Sequence, residues 1–395
     1  MRLEQRDSYL RRFTARVRAV ESDERGTRVS LDASAFYPTS GGQPHDTGRL
    51  DAAAVVDVNT HDGVVWHRLE GPAPEPGKVV EGVIDWERRY RHMQRHSAQH
   101  LLSQAFVRVS PAFDTHSVSL RGADCTIDVS GEPDDDALLD VETLANGFAY
   151  AALPIFSFEV DEAGLADYPL RRAPKVRGRI RLVAMGDVEL AACGGTHLAS
   201  TAEALPIVLL GSQRVRGALR RVTFRAGWEA LQDHRAKHAL ASDLVKRLST
   251  PLDELPGRVA RLQEELTAAH AALVAVELER AGDVAERLLA GASRRAGLRV
   301  VRAEVEDALL DPLVDMLAQQ DGVVALLGAT TEGRARLAFA RGPGSGPDLR
   351  PVLRVALEAV NGRGGGRPER VQGAGDHVEG LVKALRDAWE ALPEA

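Results

Sequence analysis

Met93-Gln94-Arg95-His96-Ser97-Ala98-Gln99-His100-Leu101-Leu102 lies inside a segment, Trp86 to Val107, where apolar residues recur at three- and four-residue intervals. Tyr90, Met93, Ala98, Leu101, Leu102 and Phe106 carry that spacing, which predicts a helix. On a helix, His96 and His100 stand at i and i+4, so both imidazoles point to one side. That geometry suits a metal, although a lone histidine pair is commoner as ordinary structure. A second element changes the balance. Cys193-Gly194-Gly195-Thr196-His197 follows an apolar strand, and its glycines permit a tight turn that brings a thiolate and an imidazole together. Two His plus Cys and His form a good tetrahedral zinc set, soft enough to prefer zinc over magnesium or calcium. Four ligands fit a closed structural site as well as a catalytic one, and spacing leaves both open.

Upstream of the helix, residues 1 to about 85 read as short β segments, with Arg28–Leu31 and Gly63–Leu69 between Gly, Asp and Pro clusters. Between them Phe36-Tyr37-Pro38-Thr39-Ser40-Gly41-Gly42-Gln43-Pro44 reads as a loop whose glycines allow close backbone approach. Downstream, 124–129 and 179–192 alternate like strands, so the second region is α+β. Leu255, Val259, Leu262, Leu266, Ala269, Leu273 and Val276 then form a heptad seam. It reads as a helical arm that packs on a partner helix or within the chain. The last hundred residues read as an α/β unit, with strands at 299–305, 322–328 and 335–341. Helices are expected near 307–319, 348–360 and 376–391, and a glycine-rich loop, 361–369, before the last of them.

The chain has 395 residues, 44% hydrophobic and 27% charged, which excludes a disordered or fibrous class and suggests two or three domains. Two cysteines build no disulfide framework. The N-terminus has no signal-type apolar run, and no apolar stretch approaches the roughly 20 residues of a membrane span, so a cytoplasmic protein without membrane contact is expected. A net charge of −7 argues against a nucleic-acid partner at first sight, yet the basic residues are segregated. Arg171, Arg172, Lys175, Arg177, Arg179 and Arg181 form one run; Arg214, Arg216, Arg220 and Arg221 a second; Arg88, Arg89, Arg91 and Arg95 a third. Three such runs make a polyanion plausible. Other chemistries fail on missing parts: Ser97 stands where a zincin needs Glu, no deaminase H-x-E and P-C-x-x-C occur, and no phosphate-binding glycine motif is present.

Together, Phe36–Gln43, Met93–Leu102, Gly186-Asp187 leading to Ala192–His197, and Gly364–Gly375 resemble the stand-alone alanyl-tRNA editing proteins, the AlaX-type trans-editing deacylases of long form. These are similar to the editing and C-terminal parts of alanyl-tRNA synthetase. The resemblance implies an α+β multidomain protein in four parts: a small β-barrel (1–85), a zinc editing core (86–238), a helical coiled-coil linker (239–294) and a C-terminal α/β domain (295–395). It implies one Zn²⁺ per chain on His96, His100, Cys193 and His197. It implies a hydrolase that removes serine, or glycine, from mischarged tRNA for alanine. Ser34 stands where the family commonly has threonine, Gln43 matches its glutamine, and Thr39 replaces part of a fuller glycine run; these three are the candidate catalytic and recognition residues. Arg171, Arg172, Lys175, Arg177, Arg214, Arg216, Arg363 and Arg367 are the candidate tRNA-binding residues, and a homodimer through the arm or the C-terminal domain is a further expectation. With no aminoacylation domain seen ahead of residue 1, the chain is expected to be an editor and not a ligase. Two other classes stay open: a threonyl-type editing deacylase, and a non-catalytic zinc-containing tRNA-binding protein.

Overall fold

The protein is described by a computed structural model covering all residues except Arg25, 171–177, Arg216, Ser345 and Ala395. The chain divides into two compact units, Met1–Asp243 and Leu244–Ala395.

The first unit opens with β1 (Arg12–Asp23), β2 (Gly26–Leu31), β3 (Gly48–Leu50), β4 (Ala53–His61), β5 (Val64–Glu70) and β6 (Val79–Ile84). These strands close a barrel in the order β1-β2-β5-β4-β3-β6. Period-two alternation drives the closure: Phe13, Ala15 and Val17 of β1 point inward with Val29, Val55, Val58 and Val80. Helix α1 (Trp86–Val109) follows at once, its first turn capped by the Asp85 carboxylate accepting from Arg88 N at 3.2 Å. Next come β7 (Thr115–Ser119), β8 (Cys125–Val129), α2 (Asp135–Tyr150), β9 (Ile155–Val160), β10 (Ile180–Met185), β11 (Glu189–Ala192), β12 (Ile207–Arg214), β13 (Arg220–Ala226) and α3 (Gly227–Leu248). They build an antiparallel sheet β12-β13-β8-β7 and a smaller one, β11-β10-β9. One apolar core unites Met93, Leu101, Leu102 and Phe106 of α1 with Val141 and Ala145 of α2 and Ile127, Val183 and Phe224 of the sheets.

Helix α1 is buried on nearly every side from Arg89 to Phe106, polar residues included. Most of its buried polar side chains are therefore committed to partners. Arg89, fully buried, donates from Nε to Asp46 at 2.9 Å and from Nη1 to the Ser8 carbonyl at 2.9 Å. Asp46 also accepts from Tyr37 N at 2.6 Å, so this ion pair ties the 34–46 loop to the helix. In the loop, Gly42 has φ of 87° and a Cβ there would lie 2.9 Å from the Val118 carbonyl, so the expected close approach is made against β7.

The second unit contains α4 (Leu255–Ala290), β14 (Ser293–Arg295), β15 (Leu298–Glu304), α5 (Asp307–Leu317), β16 (Val323–Thr331), β17 (Arg334–Arg341), α6 (Leu349–Ala359), β18 (Arg363–Arg367), β19 (Arg370–Gly375) and α7 (Leu381–Glu390). Six strands form one sheet, β14-β15-β16-β17-β19-β18, parallel only where α5 crosses from β15 to β16. Alternate residues of β16 and β17 feed two cores. Val324, Leu326, Leu337 and Phe339 meet α6 and α7, whereas Ala325, Leu327, Ala338 and Ala340 meet α5 and the end of α4.

One expectation changes here, and one of two alternatives for the heptad arm, packing within the chain along its length, falls away. The glycine-rich 361–369 segment is not a loop: Arg363–Arg367 pairs with β19 as the edge strand, and it does so at a close approach that glycine permits, since a Cβ added to Gly364 would lie 2.3 Å from the Gln372 carbonyl oxygen. The heptad seam is a single helix whose apolar positions are open: Leu266 is 73% exposed, Leu273 55% and Val276 59%. Only the last turns of α4, through Ala281 and Ala285, enter the core. Among the described residues no helix is long and apolar enough to cross a membrane.

Candidate metal centre

Strand β11 ends at Ala192, and the chain then turns through Cys193 to His197 outside any helix or strand. Arg181 of β10 holds this turn, donating from Nη1 to the carbonyls of Cys193 and Gly195, both at 2.9 Å. The turn faces α1 at its middle. A Cβ on Gly195 would sit 2.0 Å from His96 Cε1, so no larger residue fits there; at Gly194 the nearest atom would be 3.6 Å away. Gly195 is thus required by close approach and Gly194 is not.

His96, His100, Cys193 and His197 meet at this junction, with one donor atom from each lying within 4.8 Å of the others. The imidazole centroids are 4.4–5.2 Å apart, and the three histidines are 4–8% exposed. The Cys193 sulfur lies 3.5 Å from His96 Nε2 and 3.3 Å from His197 Nε2. A tetrahedral zinc with ordinary Zn–S and Zn–N bond lengths separates sulfur from nitrogen by about 3.6 Å. The donor spacing fits such an ion.

The far side of each imidazole is already taken. His96 Nδ1 is 2.8 Å from Gln43 Oε1, His197 Nδ1 is 3.2 Å from Ser97 Oγ, and His100 Nδ1 is 3.4 Å from Glu189 Oε1. With Nδ1 engaged in all three rings, Nε2 is left for a cation, the arrangement that outer-sphere partners impose on metal histidines. These partners are themselves fixed: Thr196 Oγ1 accepts from Gln43 Nε2 at 2.8 Å, and Gln104 donates to Glu189.

The electrostatics agree. Burial opposes ionisation of Cys193, yet the imidazoles of His96, His197 and His100 overcome it and hold the thiol well below its ordinary value. Burial also disfavours charge on His100, but Cys193 and Glu189 outweigh it and raise that ring to about 10. His197 goes the other way, down to about 3, through burial and then the neighbouring His96.

Cys193 is the partly exposed member of the cluster, and His197, though buried, borders a cleft. That cleft, of about 290 Å³, is also lined by Ser8, Tyr9, Phe156, Ser157 and Arg181.

Of the remaining described candidates, only Gln43 meets the centre. Ser34 is inside the barrel, its hydroxyl 2.7 Å from His67 Nε2 and accepting from Phe36 N at 3.1 Å. Thr39 is exposed, with Oγ1 3.0 Å from His45 Nδ1. Gln43 is fully buried against His96. Arg214 is exposed and paired with Glu132 at 2.8 Å. Arg363 and Arg367 are exposed on β18, and Arg363 lines a cleft of about 410 Å³. Arg171, Arg172, Lys175, Arg177 and Arg216 lie outside the described residues. Cys125 is fully buried, and burial pushes its thiol up to about 12. Glu189 and Ser97 are the site residues that spacing alone did not single out. Glu189 carried a usable signal, since with Cys193 four positions on it occupies the same face of an alternating strand.

Comparison with known proteins gives two kinds of similarity. The family described as "Threonyl and Alanyl tRNA synthetase second additional domain" matches residues 180–223, which hold Cys193, His197 and the Arg181 clamp. Over almost the whole chain the protein is homologous to alanine–tRNA ligases. It is 30% identical to that of Methanothrix thermoacetophila (93% of this chain, 42% of the relative). It is 32% identical to that of Archaeoglobus fulgidus (98% and 42%) and 33% identical to that of Pyrobaculum neutrophilum (97% and 43%). The chain thus spans less than half the length of these curated relatives. The C-Ala domain of Aquifex aeolicus alanyl-tRNA synthetase is a structural neighbour at TM-score 0.24 and 20% identity, covering 26% of this chain and 96% of that one; so slight a likeness bears no argument.

Proposed function

We propose that the chain is a zinc-dependent aminoacyl-ester hydrolase that clears serine, or glycine, from mischarged tRNA for alanine. The observation that carries this reading is a soft four-donor cluster with every Nδ1 engaged, one member of which borders an open cleft. A zinc kept only for stability sits closed, with no such approach. Similarity to alanine–tRNA ligases supplies the substrate class.

When bound, the ion supplies Lewis acidity toward an ester carbonyl. The chain's own residues do the rest. Gln43 and Glu189 orient His96 and His100, and Arg181 fixes the turn bearing Cys193 and His197. Ser34, Thr39 and Gln43 form the selectivity layer in this reading, where a hydroxyl-reading group disfavours an analogue lacking the hydroxyl. Arg214, Arg363 and Arg367 supply phosphate contacts.

Four protein donors also satisfy a closed, non-catalytic site, which is the second reading. Deacylation decides between them. The full chain should hydrolyse Ser-tRNA for alanine, spare Ala-tRNA, and leave Ser-tRNA for threonine untouched. Cys193→Ala and His100→Ala should each lose zinc and activity together. Zinc retained by both variants, or no hydrolysis by the zinc-loaded wild type, refutes the proposal; hydrolysis of the threonine tRNA substrate alone makes it a threonyl-type editor.

A further inference from the structure

The basic run at the start of α1 is not used by the metal centre, and its four guanidinium groups have different fates. Arg89 is sealed against Asp46. Arg95 donates from Nε to Glu229 at 2.7 Å and from Nη1 to the Leu120 carbonyl at 3.2 Å. Arg88 and Arg91 line an open cleft of about 350 Å³ with His92, Arg95 and Arg121, on a face of α1 adjacent to the one bearing His96 and His100.

Arg88 uses its Nε on the His45 carbonyl, 3.0 Å away, and has no carboxylate partner among the described residues. Arg121, exposed at the rim, has no partner among them either. The carboxylates present are Asp85, which accepts from Arg88 N and the Thr47 hydroxyl, and Glu87, paired with Arg91. With Glu229 counted as well, the wall keeps an excess of positive charge.

Two buried polar atoms of this wall have no hydrogen-bond partner: His92 Nδ1 and Arg91 Nε. His92 is only 3% exposed. Burial, and then the fields of Arg95, Arg88 and Arg89, hold its imidazole down to about 3, so the ring is neutral and Nδ1 can carry a donor proton. Orphaned buried donors are uncommon and ask for an acceptor. An acceptor matching several guanidinium forks and a recessed N–H is a tetrahedral oxyanion.

We propose that this cleft grips a phosphate group of the RNA whose aminoacyl end enters the metal cleft, with Arg91, Arg121 and His92 as donors. The proposal rests on the tRNA reading above. Its logic is rigid coupling: His92 precedes His96 by four residues, about 6 Å along the same helix. A phosphate held by the first turns of α1 therefore fixes the register of the chain end against the metal ligands.

The test uses the full-length, metal-loaded protein and uncharged tRNA, so that binding is read independently of hydrolysis. Arg91→Gln/Arg121→Gln removes one half-buried and one exposed cation, neither of them in an apolar core. Its plot of log affinity against log salt should be shallower by roughly 0.7 per lost contact, about 1.4 in all, with zinc content and melting temperature unchanged. Arg91→Lys/Arg121→Lys should restore most of the slope, and the His92 ring resonances should move on tRNA addition in the wild type. An unchanged slope in the Gln variant overturns the proposal, as does a silent His92. A parallel titration with inorganic phosphate separates the sources. If phosphate alone raises the wild-type melting temperature and the tRNA slope is indifferent to the substitutions, the site holds a free anion and the RNA assignment fails. Failure of the hydrolase reading is separate: it appears as tRNA bound with a normal slope and never deacylated.

Discussion

Gly195→Ala tests the centre most directly, because the clash it creates is read off the backbone. The added methyl would lie 2.0 Å from His96 Cε1 and 2.3 Å from its Nδ1, whereas ordinary contact begins near 3.4 Å. Something must yield by about 1.4 Å. His96 has little room to do so, being 5% exposed and held by Gln43 at 2.8 Å. Overpacking of this kind costs about 1–3 kcal/mol of stability. The larger effect falls on the ion, since loss of an outer partner alone lowers metal affinity about 10–100-fold and here the ligand itself is moved. Displacements of about 1 Å also depress catalysis by roughly 10²-fold. Gly194→Ala is the matched control, its methyl meeting nothing nearer than Gln5 Nε2 at 3.6 Å. Competition with a chelating indicator and a thermal melt should show Gly195→Ala at least 100-fold weaker for zinc and Gly194→Ala near wild type. Equal zinc affinities for the two variants would refute the packing argument, and with it the view that the turn is shaped to seat against His96.

Three further outcomes follow from the same contacts. Glu189→Gln keeps the shape but removes the charge beside His100 Nδ1, and should weaken zinc binding about 10–100-fold in a chelator competition; an unaltered constant would remove Glu189 from the site. Ser34→Ala leaves the buried His67 Nε2 without its partner and should lower stability by about 1–3 kcal/mol, while a change in the ratio of Ser-tRNA to Ala-tRNA hydrolysis would show that the hydroxyl also reads substrate, and no change in either quantity would show it idle. His67 is held neutral by burial, its folded value about 4 against an ordinary 6.5. The unfolded chain thus binds the extra proton first, so this contribution, about 3 kcal/mol, is complete above pH 6.5 and is lost as pH falls toward 4. Denaturant titrations of wild type and His67→Gln at pH 7 and pH 4.5 should show the smaller pH dependence in the variant; parallel losses would contradict it.

Much of the architecture was legible as pattern. Turn-forming clusters around Arg28–Leu31 and Gly63–Leu69 marked two of the barrel strands, and the mixed spacing from Tyr90 to Phe106 marked α1, even though that helix is buried on most sides. What pattern did not carry was the fate of apolar or charged residues whose partners are remote. The heptad spacing of Leu266 and Leu273 is real, yet both are exposed, since spacing specifies a stripe and says nothing of what covers it. A glycine-rich stretch reads as a loop by composition, but 363–367 is an edge strand because its conformation is set by pairing with β19.

The metal centre shows the same division at closer range. Its ligands were legible because each pair is local, four residues apart, although for different reasons: His96 and His100 through helical geometry, Cys193 and His197 through a turn clamped by Arg181. The groups that orient them come from afar, Gln43 from the barrel loop and Glu189 from β11. A ligand must belong to a compact local element to hold its angle, whereas an orienting partner need only arrive within hydrogen-bond distance. The arginine run obeys this rule too. Arg89 and Arg95 are neutralised by Asp46 and Glu229, 43 and 134 positions away, so the sequence displays four like charges where the folded helix leaves Arg88 and Arg91 to an open cleft. Such a run sorts itself into structural pairs and surface cations only once the chain has brought the carboxylates in; of the two arginines left on the cleft, Arg91 pairs with the neighbouring Glu87 and Arg88 has no carboxylate partner among the described residues.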